Sequence, residues 1–79
     1  MPEYRKNNMI TEIGIVAGEI WHFLDRNGEV NIDVLFAGIE RRQEVVLMSL
    51  GWLAREGHVV LWYIDGKYQV GLRKPGDEY

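Results

Sequence analysis

Arg41–Gly57, RRQEVVLMSLGWLAREG, is the stretch whose periodicity decides the fold. Val46, Leu47, Leu50, Leu53 and Ala54 fall at i, i+1, i+4, i+7 and i+8, which makes one broad apolar stripe along a single helix. Gly57 stops it. At about 1.5 Å per residue the helix spans ~24 Å, enough to cross a small domain. Val45, Met48 and Trp52 form a second line on nearly the opposite side, so this helix is expected to meet partners on two faces, to be the longest of the chain, and to begin near Glu40.

Beyond Gly57 the apolar period changes from helical to two. His58–Ile64 and Lys67–Arg73 flank Asp65-Gly66, a dipeptide suited to the two-residue type I′ hairpin because both central residues take positive φ. That turn sets the register. Tyr63 pairs with Tyr68, Leu61 with Val70 and Val59 with Leu72 on an apolar face expected to meet the helices. Ile64 with Lys67, Trp62 with Gln69, Val60 with Gly71 and His58 with Arg73 form the other face, so Val60, Trp62 and Ile64 are expected to look outward. Lys74–Tyr79 follows as a polar tail, with Pro75-Gly76 ending the strand.

Upstream, Met1–Asn8 shows no periodicity and reads as a flexible arm. A helix is predicted over about Met9–Asn27, with Ile10, Ile13, Ala17, Ile20, Trp21 and Leu24 on one face and Glu12, Glu19, His22 and Arg26 opposite. Asn8 suits its N-cap, and Gly28 its left-handed terminus. Gly14 and Gly18 each lower helix propensity by ~1 kcal/mol relative to alanine. Beside Ala17 they are expected to admit a neighbouring helix at close range, and the charges along the segment argue against membrane-type pairing. Glu29–Ile32 reads as an extended link or minimal edge strand near Val30, and Asn31 caps a brief helix over about Ile32–Ala37 with Val34 and Leu35 inward. Gly38 breaks that helix and Ile39 packs the corner.

Helix, extended link, helix, tight turn, helix and hairpin is the order of an α+β winged helix-turn-helix domain, here over residues 9–73. Ala17-Gly18-Glu19-Ile20-Trp21 and Leu50-Gly51-Trp52-Leu53-Ala54-Arg55-Glu56-Gly57 resemble the hallmark runs of a small prokaryotic winged helix-turn-helix family of uncharacterised function. The resemblance covers roughly Ile10–Leu72. It implies the fold and, by analogy, double-stranded DNA as a partner.

Composition bounds these readings. The 79-residue chain is one domain, of a size that buries only roughly 60 to 65% of its unfolded surface. It has no cysteine, hence no disulfide and no thiolate zinc site. No signal-peptide pattern and no apolar run of membrane-spanning length is present, so a cytoplasmic location is expected. The net charge of −3 is unevenly placed: residues 9–38 carry Glu12, Glu19, Asp25, Glu29 and Asp33 against Arg26 alone. A basic footprint for nucleic acid must come from elsewhere.

A DNA-reading third helix presents polar groups from its N-terminal half in the major groove. Arg41, Arg42 and Gln43 stand there, and Ser49 adds a hydroxyl. Lys67 on the wing, Arg73 and Lys74 at its base, and Arg5 and Lys6 on the arm would serve phosphates. Glu40 and Glu44 oppose this, as do Val45 and Met48 on a helix meant to read bases; the two arginines are equally readable as a solvated helix start paired with Glu40 and Glu44. Trp21 and Trp52 sit at apolar spacing and read as core. Trp62, between Val60 and Ile64, reads as an outward patch suited to a protein partner or a weak homodimer, unless Tyr4 of the arm folds over it. His22 and His58 are the only histidines, neither zinc-ligand spacing nor a phosphate loop occurs, and Asp25, Glu29 and Asp33 read as ordinary helix-end and loop residues. No catalytic residue, metal or cofactor is therefore assigned. The two surviving readings are a DNA-binding transcriptional regulator and a protein interaction or dimerisation module on the same fold.

Overall fold

In the computed structural model, which describes residues 6–76, the chain begins its first regular element at Ile10. Helix α1 spans Ile10–Asn27 and is followed by strand β1 (Val30–Asn31), helix α2 (Ile32–Gly38), helix α3 (Gln43–Arg55) and the hairpin strands β2 (Val59–Ile64) and β3 (Lys67–Leu72). The arm expected over Met1–Asn8 and the tail over Lys74–Tyr79 lie partly outside the described residues; Tyr4 and Arg5 are among those not described.

Local chemistry fixes each boundary. The Ile10 amide donates to Asn8 Oδ1 at 2.9 Å, so Asn8 serves the start of α1 although Met9 occupies the N-cap position. At the other end Gly28 adopts φ 76° and its amide donates to the Leu24 carbonyl. Asn31 caps α2 by accepting from the Asp33 amide at 2.8 Å. Helix α3 closes in a Schellman arrangement: Gly57, at φ 81°, donates to the Ala54 carbonyl while His58 donates to Leu53.

The third helix is neither as long nor as early as its sequence suggests. It has 13 residues against 18 in α1 and starts at Gln43, because Ile39 must turn into the core and the Arg41 amide closes a turn on the Ile39 carbonyl. Arg42 is still extended, with ψ 138°. Its buried stripe is also rotated from the expected one: Val45, Val46, Ser49, Leu50 and Leu53 face the core, whereas Leu47 is 45% exposed. Ser49 tolerates full burial because its Oγ donates to the Val45 carbonyl at 2.8 Å, one helical turn back. Trp52 and Trp21, expected in the core, are exposed, as is Val34 of α2. On α1, Val16 joins Ala17, Ile20 and Leu24 inside while Ile10 remains largely in solvent.

The hairpin register agrees pair for pair with the reading from Asp65-Gly66, from Val59 opposite Leu72 to Ile64 opposite Lys67. Asp65 at φ 51° and Gly66 at φ 81° make the expected turn, and the Arg73 amide donates to the His58 carbonyl. Strand β1 is real: it pairs antiparallel with β3, Val30 opposite Val70, giving a three-stranded sheet in the order β1-β3-β2. What the alternation misplaces is burial. At the base of the hairpin both faces are covered, Val59 and Val70 by the helical core and Val60 and Gly71 on the other side; toward the tip Leu61, Tyr63, Ile64 and Tyr68 are all exposed. Coverage also depends on place in the sheet: Val70 on the central strand β3 is fully buried, whereas Leu61 directly opposite it on the edge strand β2 is 44% exposed. Val60, expected to be outward, is only 5% exposed, and Trp62 is half-buried with its ring over Gly71, beside Glu29.

Candidate functional site

The head of α3 is the first place a winged helix offers for recognition, and here it is tied back to α1. Glu12 and Glu19 are two helical turns apart on one flank of α1, and they meet the two arginines that precede α3. Arg41 grips Glu19 with two donors, Nε to Oε1 at 3.0 Å and Nη2 to Oε2. This fork geometry suits a carboxylate. Its hydrogen bonding holds the Glu19 carboxyl below the usual range, with the Arg41 charge adding to that and partial desolvation opposing it. Arg41 is in turn held more firmly protonated, first by the Glu19 hydrogen bond and then by its charge. Arg42 reaches Glu12 at 4.0 Å, with its side chain 68% exposed. The acids that engage these arginines are thus Glu19 and Glu12, far upstream, rather than Glu40 and Glu44.

The other expected DNA contacts are spread over several elements. Gln43 is exposed at the first turn of α3, but Ser49 is fully buried on the Val45 carbonyl and presents no hydroxyl outward. Lys67 is exposed beside the hairpin turn, Arg73 and Lys74 lie at the opposite end of the strand, and Lys6 is exposed before α1. Arg5 lies outside the described residues. Of the expected partner patch, Ile64 is exposed, Trp62 half-buried and Val60 covered.

A different surface emerges between α1 and α3. Gly14, Ala17 and Gly18 on α1, Trp21 one turn further, Trp52 and Leu53 on α3 and His58 after it line an open apolar groove of about 290 Å³. The glycines were expected to admit a neighbouring helix of the same chain. They do not, for a methyl group at Gly14 or Gly18 would find no described atom within 4 Å beyond its chain neighbours and the backbone of its own helix. Trp52, 48% exposed, lies near the His58 ring with centroids 6.2 Å apart, and Trp21, 38% exposed, stands edge-on to His22. Continuing from Trp52 along the outer side of α3, Met48 and Leu47 are also exposed around Gly51. Sequence reasoning assigned Trp21, Trp52 and Leu47 to the core because apolar helical spacing is the same for a buried stripe and for an exposed one. The signal that separates them is the pair of α1 glycines, which leaves a recess without filling it.

Among the described residues no helix is long and apolar enough to cross a membrane. The chain matches no curated protein. Residues 5–72 match the model of a family described as Winged helix-turn-helix domain (DUF2582). That span covers the whole three-helix, three-strand architecture, and the chain belongs to this winged helix-turn-helix family, whose function is uncharacterised.

Proposed function

We propose that this domain is a non-enzymatic interaction module of the cytoplasm, one that uses the winged-helix scaffold to meet a protein partner through the exposed side of α3. The observation that carries the reading is the outer surface of that helix. Leu47, Met48 and Trp52 are all 45% exposed or more around Gly51, and from Gln43 to Arg55 the helix holds one acid, Glu44, and one base, Arg55, at its far end. A helix that reads a major groove needs donors and acceptors along that side. Exposed apolar side chains there favour desolvation by another protein. Leu61, Tyr63 and Tyr68 on one face near the hairpin tip, and Ile64 on the other, add further exposed apolar side chains to the same module.

A second reading, a DNA-binding transcriptional regulator, is favoured by the fold family and by Arg42 and Gln43 at the head of α3 together with exposed Lys67 on the wing. Arg73, Lys74, Lys6 and Arg5 would supplement the phosphate contacts. Arg41 contributes less to this reading, since Glu19 already neutralises it.

Titration of a labelled mixed-sequence duplex at about 50 mM and 200 mM salt separates the two, because phosphate contacts release counterions and lose affinity steeply over that range. The interaction-module reading expects no salt-sensitive duplex binding. Binding that weakens steeply with salt and disappears in an Arg42→Glu, Lys67→Glu double variant would overturn it in favour of the regulator. That pair is preferred to Arg41 because it leaves the Arg41–Glu19 fork intact.

A further inference from the structure

We infer that the partner of the α1/α3 groove is a second copy of this chain, joined about a two-fold axis with the Gly14–Gly18 side of α1 facing its counterpart. The inference rests on the interaction-module reading and names the occupant.

The chain supplies both a recess, at Gly14, Ala17 and Gly18, and projections beside it, at Trp21 and Trp52. An isologous contact applies one surface twice, so a surface that carries recess and projection together can pair with itself. With no Cβ on either glycine, two α1 helices can cross at close range while the indoles of each copy cover the flank of the other.

In a two-fold contact a charged group on the axis faces its own like, so a surface centred there pairs with itself more readily when it carries little formal charge. Charged residues make up 27% of this chain, yet Asp, Glu, Lys and Arg are all absent from the seven groove residues. The opposite flank of α1, with Glu12 and Glu19, would place acids against acids in a similar pairing. That flank is the one engaged by Arg41 and Arg42.

Taking roughly 250 Å² for a whole tryptophan, exposures of 38% and 48% leave roughly 200 Å² of indole on the groove walls. Ile10, one turn before Gly14, and Met48, one turn before Trp52, extend the same surface and are largely exposed. With the glycine floor this comes to on the order of 500 Å² per copy, or ~1,000 Å² for a pair, the lower bound for a specific contact. A weak, concentration-dependent dimer follows.

Sedimentation velocity and equilibrium on the full chain, from about 10 μM to 1 mM, provides the test. The parent is expected to move from monomer toward dimer over that range, with little change between low and high salt. Gly18→Leu is the informative variant: it fills the recess with an apolar side chain that has room in the monomer, so it should weaken dimerisation at least tenfold while the circular dichroism spectrum and thermal midpoint are maintained. Non-specific stickiness would predict the opposite, since Leu adds apolar surface. Trp52→Ser should weaken the dimer similarly, and iodide quenching at the dilute end should find Trp52 accessible in the parent.

A parent that stays monomeric to 1 mM overturns the inference. A dimer untouched by Gly18→Leu and Trp52→Ser does so as well, and one lost instead in Tyr63→Ser moves the contact to the hairpin tip while preserving the interaction-module reading. Trp52 shielded from iodide in the dilute monomer would mean that another segment of this chain covers the groove. Steep salt-sensitive duplex binding by a strictly monomeric protein would remove both the dimer and the reading it rests on.

Discussion

The two flanks of α1 treat the chain's own residues in opposite ways. On one, Glu12 and Glu19 receive Arg42 and Arg41, and Phe23 fills the space that a side chain at Gly38 would take. On the other, Gly14 and Gly18 open a recess that nothing described enters, and Trp21 and Trp52 stand at its edges half in water. Between them Val16, Ala17, Ile20 and Leu24 form the buried stripe that holds the helix to the domain. The polar flank is closed by intramolecular pairing; the apolar flank is left open. In a chain of 79 residues, where each apolar side chain matters to a small core, leaving two indoles outside that core is a cost to the monomer that the proposed partner would offset.

The largest effect should come from the stripe between the flanks. Ile20 is fully buried, and Ile20→Ala should lower stability by about 3 to 4 kcal/mol through lost burial plus the cavity left behind. Trp52→Ala, measured at dilute concentration, should cost only about 2 kcal/mol: roughly half the side chain is already in water, and the open groove leaves no sealed cavity. Urea unfolding of the two variants checks the order. If Trp52→Ala proved the more damaging, the apolar flank would be part of the core and the contrast between the flanks would fail.

These residues also mark how much the sequence alone can tell. Asp65-Gly66 sets a turn, the turn sets the register, and each strand pair follows from a local rule with a period of two. Burial is not local in that way. Val60 is covered while Leu61 is not, although Val70 directly opposite Leu61 is buried on the central strand, and the pleat carries no information about strand order or about what covers each face. On α3 the 100° step allowed Leu47 or Ser49 into the stripe; a hydroxyl satisfied by its own helix made the polar residue the buried one. The Arg41–Glu19 pair joins residues 22 apart across two elements, which spacing cannot indicate. Trp52 is the general case: helical periodicity identifies an apolar face without saying which molecule covers it.

A smaller effect probes the open flank directly. Gly14→Ala and Gly18→Ala each place a methyl group where no described atom lies within 4 Å, on a helical backbone that alanine adopts readily. Each should stabilise the dilute monomer by about 0.5 to 1 kcal/mol by reducing the conformational freedom lost on folding. Calorimetry should find a midpoint raised by several degrees, since roughly 4 to 8 °C accompanies each kcal/mol in a domain of this size. Destabilisation by either alanine would mean that the recess is filled within the monomer.

The smallest effect belongs to the closed flank and depends on pH. Glu19 has its carboxyl pKa lowered from the ordinary 4.5 by the Arg41 hydrogen bond and charge, so the folded state favours the carboxylate more than the unfolded state does. The stabilisation is therefore fully present above 4.5 and disappears as pH falls through the lower folded-state value. Both side chains remain more than a third exposed, and water and salt screen the pair, so the effect should be modest even at neutral pH. Glu19→Gln removes the charge with little change of shape. Its thermal midpoint should lie slightly below that of the parent at neutral pH, and the two curves should converge under acid conditions where the parent carboxyl is protonated. A difference that persists unchanged into acid would mean that Glu19 acts through packing or a neutral hydrogen bond, and that the closed flank is not held by charge.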